Sequence, residues 1–168
     1  MGEISKKDGC LMRYKDKKKI CFAASSGGHY EQLMMLKPLI EEEESFILTE
    51  KTQYKSSDDS VKSYYMKQIN RGENTFIIKL MINVAMSLGI YIKERPDIVI
   101  CTGVLAMIPM CLITKIFGGK LIYIESFAKV TSPTMTGKLL YKYADRFYIQ
   151  WESLREFYPK AIYLGGIY

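Results

Sequence analysis

The chain has 168 residues, of which 48% are apolar and 25% charged, and its net charge is +6 at neutral pH. This composition excludes an intrinsically disordered chain and fits one soluble domain with its own hydrophobic core. The four cysteines have no disulfide or metal-ligand spacing, and we expect no signal peptide, because the N-terminal residues lack an apolar h-region and a small-residue cleavage site. We therefore expect a reduced, cytoplasmic protein.

Much of the positive charge lies near the beginning of the chain. Residues 6–19 contain seven Lys or Arg and two Asp, a net charge of +5. We predict a flexible basic extension over residues 1–17 and one domain over residues 18–168. The extension is either a solvated tail or a segment attracted to an anionic membrane surface, at about 1 kcal/mol per basic residue. Nucleic acid is not an expected partner, because no aromatic-interleaved basic motif accompanies the charge.

Apolar runs of strand length alternate with helical patterns along the chain. We predict strands near residues 19–24, 45–49, 63–69, 97–101, 120–124, 145–150 and 161–164, and helices near 30–40, 75–95, 104–117, 137–144 and 152–157. This alternation predicts an α/β fold: a Rossmann-like parallel sheet with right-handed crossovers and helices on both faces.

The helix predicted near residues 75–95 is unusually apolar. Its polar residues Lys79, Asn83 and Ser87 recur at four-residue spacing, so nearly every other face is apolar. Such a helix is predicted to lie buried between other elements. The alternative is that the apolar surface of this helix faces a membrane or a substrate.

Polar segments follow several predicted strands at their carboxyl ends. They are Ser25–His29, Thr102-Gly103, Glu125-Ser126 and Gln150-Trp151. Ligands of parallel sheets bind outside the carboxyl ends of the strands, so these segments should gather at one edge and form a site. In the first segment, two glycines precede a helix, which is how α/β proteins build an anion site.

The sequence lacks several well-known ligand motifs. It has no Walker loop, no Gly-x-Gly-x-x-Gly and no Asp-x-Asp. A glycine loop with one histidine and a strand-terminal glutamate remains. This set suits binding of a diphosphate and deprotonation of a hydroxyl, without a metal or other cofactor.

Each candidate residue has more than one interpretation. Three roles are open for His29: it hydrogen-bonds within its own loop, it binds the diphosphate of an acceptor, or it acts as a general base. Glu125 either orders the following loop by accepting its backbone N–H groups or acts as a base or sugar-hydroxyl acceptor. Thr102 and Gly103 either form a turn or contact the acceptor. A phosphate contact or a flexible polar loop equally explains Lys129, Thr131 and Ser132, and Trp151 is predicted to pack or to meet a partner.

An ordered set of motifs resembles a known family. The set is Ser25-Ser26-Gly27-Gly28-His29, Thr102-Gly103, Tyr123–Lys129, Thr136–Leu140, Asp145–Trp151 and Gly165-Gly166. It resembles the ALG-fourteen-like family of oligosaccharide-biosynthesis proteins, over about residues 18–168. Bacterial members serve capsular and exopolysaccharide synthesis, and eukaryotic members are the membrane-anchoring half of a split N-acetylglucosaminyltransferase.

The resemblance implies the N-terminal, acceptor half of a GT-B glycosyltransferase. It implies an inverting two-chain enzyme in which a separate subunit binds the nucleotide sugar, and this chain, which stops at Gly165–Tyr168, is expected to be nearly inactive alone. The acceptor would be a polyprenyl-diphosphate-linked saccharide, and attachment to the inner face of the cell membrane would be peripheral.

The resemblance also implies roles for residues of the site. His29 and Glu125 would be catalytic, and Ser25, Ser26, Gly27, Gly28, Thr102, Gly103, Ser126 and Lys129 would bind the acceptor or its phosphates. A non-catalytic scaffold that recruits and activates the partner at the membrane is one alternative, and a free-standing α/β enzyme or phosphate-binding module is another.

Overall fold

A seven-stranded parallel sheet forms the centre of the computed structural model, which describes residues 17–51, 61–70 and 72–168. The strands are β1 (Lys19–Ala23), β2 (Glu44–Glu50), β3 (Ser63–Met66), β4 (Ile98–Cys101), β5 (Lys120–Ile124), β6 (Arg146–Ile149) and β7 (Ile162–Tyr163). Nearly all of the predicted basic extension lies outside the described residues.

The strand order is β3-β2-β1-β4-β5-β6-β7, and every neighbouring pair is parallel. In register, Ala23 lies beside Cys101, and Cys101 lies beside Tyr123. The carboxyl ends of the central strands therefore meet at one edge of the sheet, as the sequence predicted. The chain reverses direction across the sheet between β3 and β4, so β1 and β4 flank the switch point at which α/β folds bind ligands.

Helices cover both faces of the sheet, which confirms the predicted fold class. They are α1 (Gly28–Met34), α2 (Lys37–Glu42), α3 (Phe76–Glu94), α4 (Ile108–Ile116) and α5 (Met135–Leu140), with 3₁₀ helices at Leu105–Met107 and Glu152–Glu156. The helix predicted near residues 30–40 is in fact two, α1 and α2. Pro38 lies in the first turn of α2, where its missing N–H costs no hydrogen bond.

Two apolar cores lie on the two faces of the sheet. On one face, Tyr30 and Leu33 of α1 and Ile40 of α2 pack with Phe22 and Ile47. The other core is larger and joins the sheet to α3, α4 and α5 through residues such as Ile90, Met110, Cys111 and Leu140. Cys21, Cys101 and Cys111 are free and buried there, where they pack as small apolar residues.

The orientation of α3 differs from the prediction. Its outer face exposes a stripe of apolar side chains, each 38–70% exposed, comprising Ile77, Ile78, Met81, Val84, Leu88 and Ile92. Asn83 and Ser87 instead point inward and are fully buried. The prediction of a helix buried between other elements is therefore wrong, and the alternative of a face toward a membrane or a substrate stays a prediction. We call these six residues the α3 stripe.

Buried polar contacts attach α3 to the sheet. The Asn83 side-chain amide donates to the Lys67 carbonyl at 2.8 Å and accepts from the Lys67 N–H at 3.1 Å. The side chain of Glu94, only 3% exposed, contacts Lys19 at 2.9 Å, Lys62 at 2.5 Å and the Tyr64 hydroxyl. Among the described residues, α3 is the one helix long and apolar enough to cross a membrane. These contacts hold it instead against the surface of the domain.

Within the described residues, no helix covers one part of the sheet. The described helices on the α1 side of the sheet are α1 and α2, and Ile122 and Tyr148 on that side stay partly exposed. A groove of about 380 Å³ lies there, lined mainly by Leu36, Leu39, Ile100, Ile122, Tyr148 and Leu164. We call this the open groove.

Candidate functional site

The candidate site is built from the loops that follow β1, β4 and β5 at the carboxyl edge of the sheet. His29 lies at the start of α1, Thr102 and Gly103 follow β4, and Glu125 and Ser126 follow β5. The side chain of His29 borders two cavities at this edge, of about 420 and 250 Å³. The structure thus brings together the loops that the sequence placed at one edge. Another cavity, of about 580 Å³, is lined by Asp145 and Arg146 at the opposite edge of the sheet.

The glycine loop gives α1 an open N-terminus. Gly27 is the N-cap and has φ +78°, a conformation that favours glycine, and no side chain caps the helix. Its carbonyl accepts the N–H groups of Tyr30 and Glu31 at 2.8 and 3.0 Å. Gly27 and Gly28 are exposed, whereas Ser25 is buried and Ser26 half-buried. The predicted phosphate contacts of Ser25, Ser26, Gly27 and Gly28 stay predictions.

His29 lies at the boundary between the two cavities and is half-buried. Its Nδ1 atom is buried and has no hydrogen-bond partner among the described residues. Burial lowers the pKa of the imidazole below its ordinary value, and the Thr102 backbone and the Glu125 carboxylate partly offset this effect. The neutral ring is therefore the favoured form at neutral pH, and a neutral ring is able to accept a proton.

Thr102 and Gly103 both contact His29. The Thr102 hydroxyl donates to the His29 carbonyl at 2.9 Å, and the imidazole ring lies directly against Gly103. Thr102 is fully buried. The predicted contact of these two residues with an acceptor stays a prediction, and the structure adds a contact with the histidine.

Glu125 is fully buried, and both of its carboxylate oxygens are bonded. Oε1 accepts from the Ser126 N–H at 2.9 Å and the Thr134 hydroxyl at 2.8 Å. Oε2 accepts from the Thr134 N–H at 3.2 Å and the Tyr158 hydroxyl at 2.7 Å. This geometry matches the alternative in which Glu125 orders the following loop, and its predicted catalytic role stays a prediction.

Two buried glutamines meet at the backbone carbonyl of Glu125. Gln32 donates to that carbonyl at 3.2 Å and Gln150 at 2.7 Å. The other end of the Gln32 amide accepts the Phe127 N–H at 3.3 Å, and that of Gln150 accepts the Ile167 N–H at 2.9 Å. The glutamines thereby tie α1, the loop after β5 and the segment 164–168 into one unit.

The larger of the two cavities has an aromatic wall. Gly28, His29, Gln32, Ser126, Phe127, Ala128 and Tyr168 line it. The Phe127 ring contacts the rings of Trp151 and Tyr168, both at 5.0 Å between centroids, and the Trp151 ring N–H donates to the Phe127 carbonyl at 2.6 Å. Trp151 therefore packs, which was one of its two predicted roles.

Ser126 and Lys129 lie in the loop after β5. Ser126 is buried, and its carbonyl accepts the Lys129 N–H at 3.0 Å in a tight turn. The side chain of Lys129 is exposed to solvent. Their predicted acceptor contacts stay predictions. Among the described residues, no group of three or more His, Cys, Asp or Glu side chains could hold a metal ion.

Sequence reasoning missed Gln32, Thr134 and Tyr158. Gln32 follows His29 by three residues on a predicted helix, so the two side chains share a face, and this spacing could have identified it. Thr134 and Tyr158 reach Glu125 from 9 and 33 residues away in the chain. No local pattern in the sequence relates them to Glu125.

The fold and the edge site define the class of domain. A parallel sheet of this topology, with its polar loops at the carboxyl edge, is a Rossmann-like α/β domain, and solved structures share this fold. MurG of Acinetobacter baumannii superposes with a TM-score of 0.66 at 16% identity, over 81% of this chain and 42% of that chain. The UDP-N-acetylglucosamine 2-epimerase of Rickettsia bellii gives a TM-score of 0.67 at 9% identity, over 90% and 45%.

The family follows from the sequence comparisons. Residues 49–167 match the family model described as "Oligosaccharide biosynthesis protein Alg14 like". The chain belongs to this family, which confirms the resemblance seen in the motifs.

Two curated relatives illustrate the match. The human "UDP-N-acetylglucosamine transferase subunit ALG14" is 32% identical over 116 residues, which make up 62% of this chain and 54% of that protein. The Schizosaccharomyces pombe protein of the same name is 39% identical over 75 residues, 42% of this chain and 36% of that protein. The chain thus spans about half the length of the curated relatives it matches.

Proposed function

We propose that this chain is the acceptor-binding, membrane-associating subunit of a two-chain inverting glycosyltransferase. The acceptor is a polyprenyl-diphosphate-linked saccharide of capsular or exopolysaccharide synthesis, and a separate subunit holds the nucleotide-diphospho-sugar. The observation that carries the proposal is the position of His29, half-buried between two cavities at the carboxyl edge of a GT-B half. The name of the human relative, a transferase subunit, supports the assignment.

In the proposed reaction, His29 is the general base. The acceptor hydroxyl oxygen bonds to the anomeric carbon of the donor sugar while the bond from that carbon to the diphosphate breaks. The hydroxyl proton passes to the imidazole, and the nucleoside diphosphate leaves with the electron pair of the broken bond. The lowered pKa of His29 supports this role because it keeps the ring neutral at pH 7.

The acceptor diphosphate binds at the glycine loop in this proposal. The exposed Gly27 and Gly28 leave the N-terminus of α1 accessible, and the amides of a first helical turn favour an anion. Lys129 on the facing loop is exposed and available to neutralise phosphate charge. Glu125 orders that loop and acts on the acceptor through Ser126 and Phe127, which line the His29 cavity.

The membrane contact is made by the α3 stripe together with the basic extension. The stripe runs along α3 from Ile77 to Ile92. Contacts of Asn83 and Glu94 fix this helix to the surface of the domain. An amphipathic helix of this kind lies in the plane of the membrane interface with its apolar face toward the acyl chains. The cytoplasmic leaflet is the expected site, because its anionic lipids attract basic segments.

The partner subunit covers the open groove. An apolar face of a parallel sheet is normally packed under helices, and the described residues provide none over the groove beyond the edge of α2. The solved MurG structure is more than twice the length of the region that matches this chain, and in this proposal a separate subunit supplies the remainder. The open groove gives this second subunit a surface to bind beside the site.

A transfer assay tests the proposal. The chain, the nucleotide-sugar-binding subunit and their mixture are each incubated with a polyprenyl-diphosphate-linked saccharide and a panel of nucleotide sugars. We expect transfer by the mixture alone, and no micromolar binding of a uridine-diphospho-sugar to this chain in calorimetry. Transfer by this chain without a partner, or tight binding of the donor to it, would sink the two-subunit assignment.

A further inference from the structure

The turn after β4 has an unusual backbone. Gly103 has φ +132° and Val104 has φ +89°. A positive φ is rare for any residue other than glycine and a true outlier for a β-branched one, with a typical cost of about 1–3 kcal/mol. Such strain persists only where the surrounding structure fixes it, and it concentrates at functional sites. Val104 and Gly103 both line the cavity of about 250 Å³ that His29 borders.

Gly103 makes room for the imidazole ring. A Cβ atom added at Gly103 would lie 3.0 Å from Cε1 and 3.2 Å from Nδ1 of His29. These distances are shorter than ordinary van der Waals contact, so the ring would have to shift by a few tenths of an ångström to accommodate a Cβ atom here. The Nδ1 atom of the ring is buried and has no hydrogen-bond partner within the described part of the chain.

Thr102 holds the backbone of His29, whereas Gly103 contacts its ring. Its hydroxyl donates to the backbone carbonyl of His29, 73 residues earlier in the chain. Thr102 itself is held in the sheet, since its N–H donates to the Ala23 carbonyl at 3.1 Å. Thr102 therefore fixes the backbone of His29, and Gly103 packs against its imidazole ring.

We propose that Thr102 and Gly103 are positioning residues that set the place and burial of the His29 ring. This inference rests on the proposed role of His29 and differs from an acceptor contact by these two residues. The strained turn presents Gly103 to the ring, and the Thr102 hydroxyl fixes the loop that carries the ring.

The single histidine of the chain permits a direct test. Titration of the imidazole NMR signals in the full chain reports on His29 alone, with no partner or substrate present. We expect a pKa below ~6.5 in the native chain, because burial disfavours the charged ring. In Gly103→Ala the ring must move away from the added Cβ, and we expect its pKa to rise toward the ordinary value of ~6.5 as burial decreases. Gly89→Ala is the matched control, because its Cβ meets nothing within 4 Å.

A second pair of variants keeps the test decisive if Gly103→Ala does not fold. Thr102→Val removes the hydroxyl and keeps the shape of the side chain, whereas Thr102→Ser keeps the hydroxyl. We expect the pKa of His29 to rise in Thr102→Val and to return to the native value in Thr102→Ser. An unchanged titration in Thr102→Val, and in Gly103→Ala where it folds, would overturn the inference.

Kinetics in the reconstituted complex separate positioning from acceptor binding. A positioning role predicts that Thr102→Val lowers kcat with a near-normal KM for the acceptor, whereas a direct acceptor contact predicts a raised KM. A raised KM with an unchanged titration overturns the inference. If the titration changes while transfer stays normal, positioning stands and the base role of His29 in the proposed function fails.

Discussion

The hydroxyl of Tyr158 donates to Oε2 of Glu125 at 2.7 Å, and both side chains are almost completely buried. Burial and the neighbouring carboxylate raise the pKa of Tyr158 far above its ordinary value, so the hydroxyl keeps its proton and remains a donor. Gly137 is packed against the pair, since a Cβ there would lie 2.2 Å from Oε2 and 2.6 Å from the hydroxyl. Three segments of chain thus converge on one carboxylate.

Tyr158→Phe is therefore expected to destabilise the domain. It removes one hydrogen bond to a buried carboxylate, at a cost of about 2 kcal/mol. Chemical denaturation measures the loss. Tyr143→Phe, at an exposed tyrosine, is the control and should change stability by less than ~0.5 kcal/mol. Equal stability of the two variants would show that the bond to Glu125 contributes nothing.

The contacts of Glu94 predict a pH-dependent stability. Hydrogen bonds from Lys62, Tyr64 and Lys19 outweigh desolvation and hold the pKa of Glu94 at about 2. Because the folded pKa lies below the ordinary value of ~4.3, the carboxylate contributes stability above about pH 4, and this contribution is lost as pH falls toward 2.

Glu94→Gln is expected to lower the free energy of unfolding by about 2 kcal/mol at pH 7. The difference from the native chain should shrink as the pH falls toward 2. Glu44→Gln, at the more exposed partner of Lys19, is the control and should have a smaller effect. A difference that does not vary between pH 7 and pH 2 would contradict the role given to Glu94.

The α3 stripe predicts a specific loss of membrane binding. Met81 is 63% exposed at the centre of the stripe. Met81→Asp is expected to reduce binding to phosphatidylglycerol vesicles about tenfold, because insertion of a methionine contributes roughly 1.5–3 kcal/mol. Phe157→Asp changes the charge equally at an exposed aromatic residue outside the stripe and should bind as the native chain does. Equal vesicle binding by the native chain and both variants would exclude the α3 stripe as the membrane contact.

Deletion of residues 1–17 tests the basic extension. We expect weaker vesicle binding with an intact fold, and a further loss as salt screens the remaining charge over about 10 Å at 0.1 M. Binding that neither the deletion nor salt changes would assign the contact to the α3 stripe alone.

The open groove predicts where the partner subunit binds. Leu164 lines the groove and is 80% exposed, so Leu164→Asp should leave the fold intact. A buried charge at the interface is expected to weaken association at least tenfold in a co-purification or calorimetric titration. Leu139→Asp, on α5 at the other face of the sheet, is the control. Loss of association in Leu139→Asp and not in Leu164→Asp would place the partner on the α5 face of the sheet and contradict its assignment to the open groove.

The sheet and the edge that carries the site could be predicted from the sequence, because apolar runs and the loops after them are local features. The outward face of α3 could not. The spacing of Asn83 and Ser87 shows that they share a face, but not that this face points inward. Asn83 does so because it satisfies both backbone groups of Lys67, 16 residues earlier. The partners of Glu125 were hidden for the same reason, since they meet it only in the folded chain.

The base role of His29 predicts the pH dependence of transfer. Only the neutral ring accepts a proton, so kcat should fall as pH drops through the His29 pKa. Because burial lowers that pKa, the fall is expected below ~6.5. A turnover that falls instead as the pH rises from 6 to 8 would contradict a His29 base.

Turnover of His29→Ala in the reconstituted complex is the most direct measurement of the proposed function. A positioned base contributes about 10²–10⁴-fold, so we expect kcat to fall at least ~10²-fold while the partner stays bound. Glu31→Gln, at an exposed residue of the same helix, is the control and should keep native kinetics. Near-normal kcat and acceptor KM in His29→Ala would contradict the account and favour a non-catalytic scaffold that recruits and activates the partner.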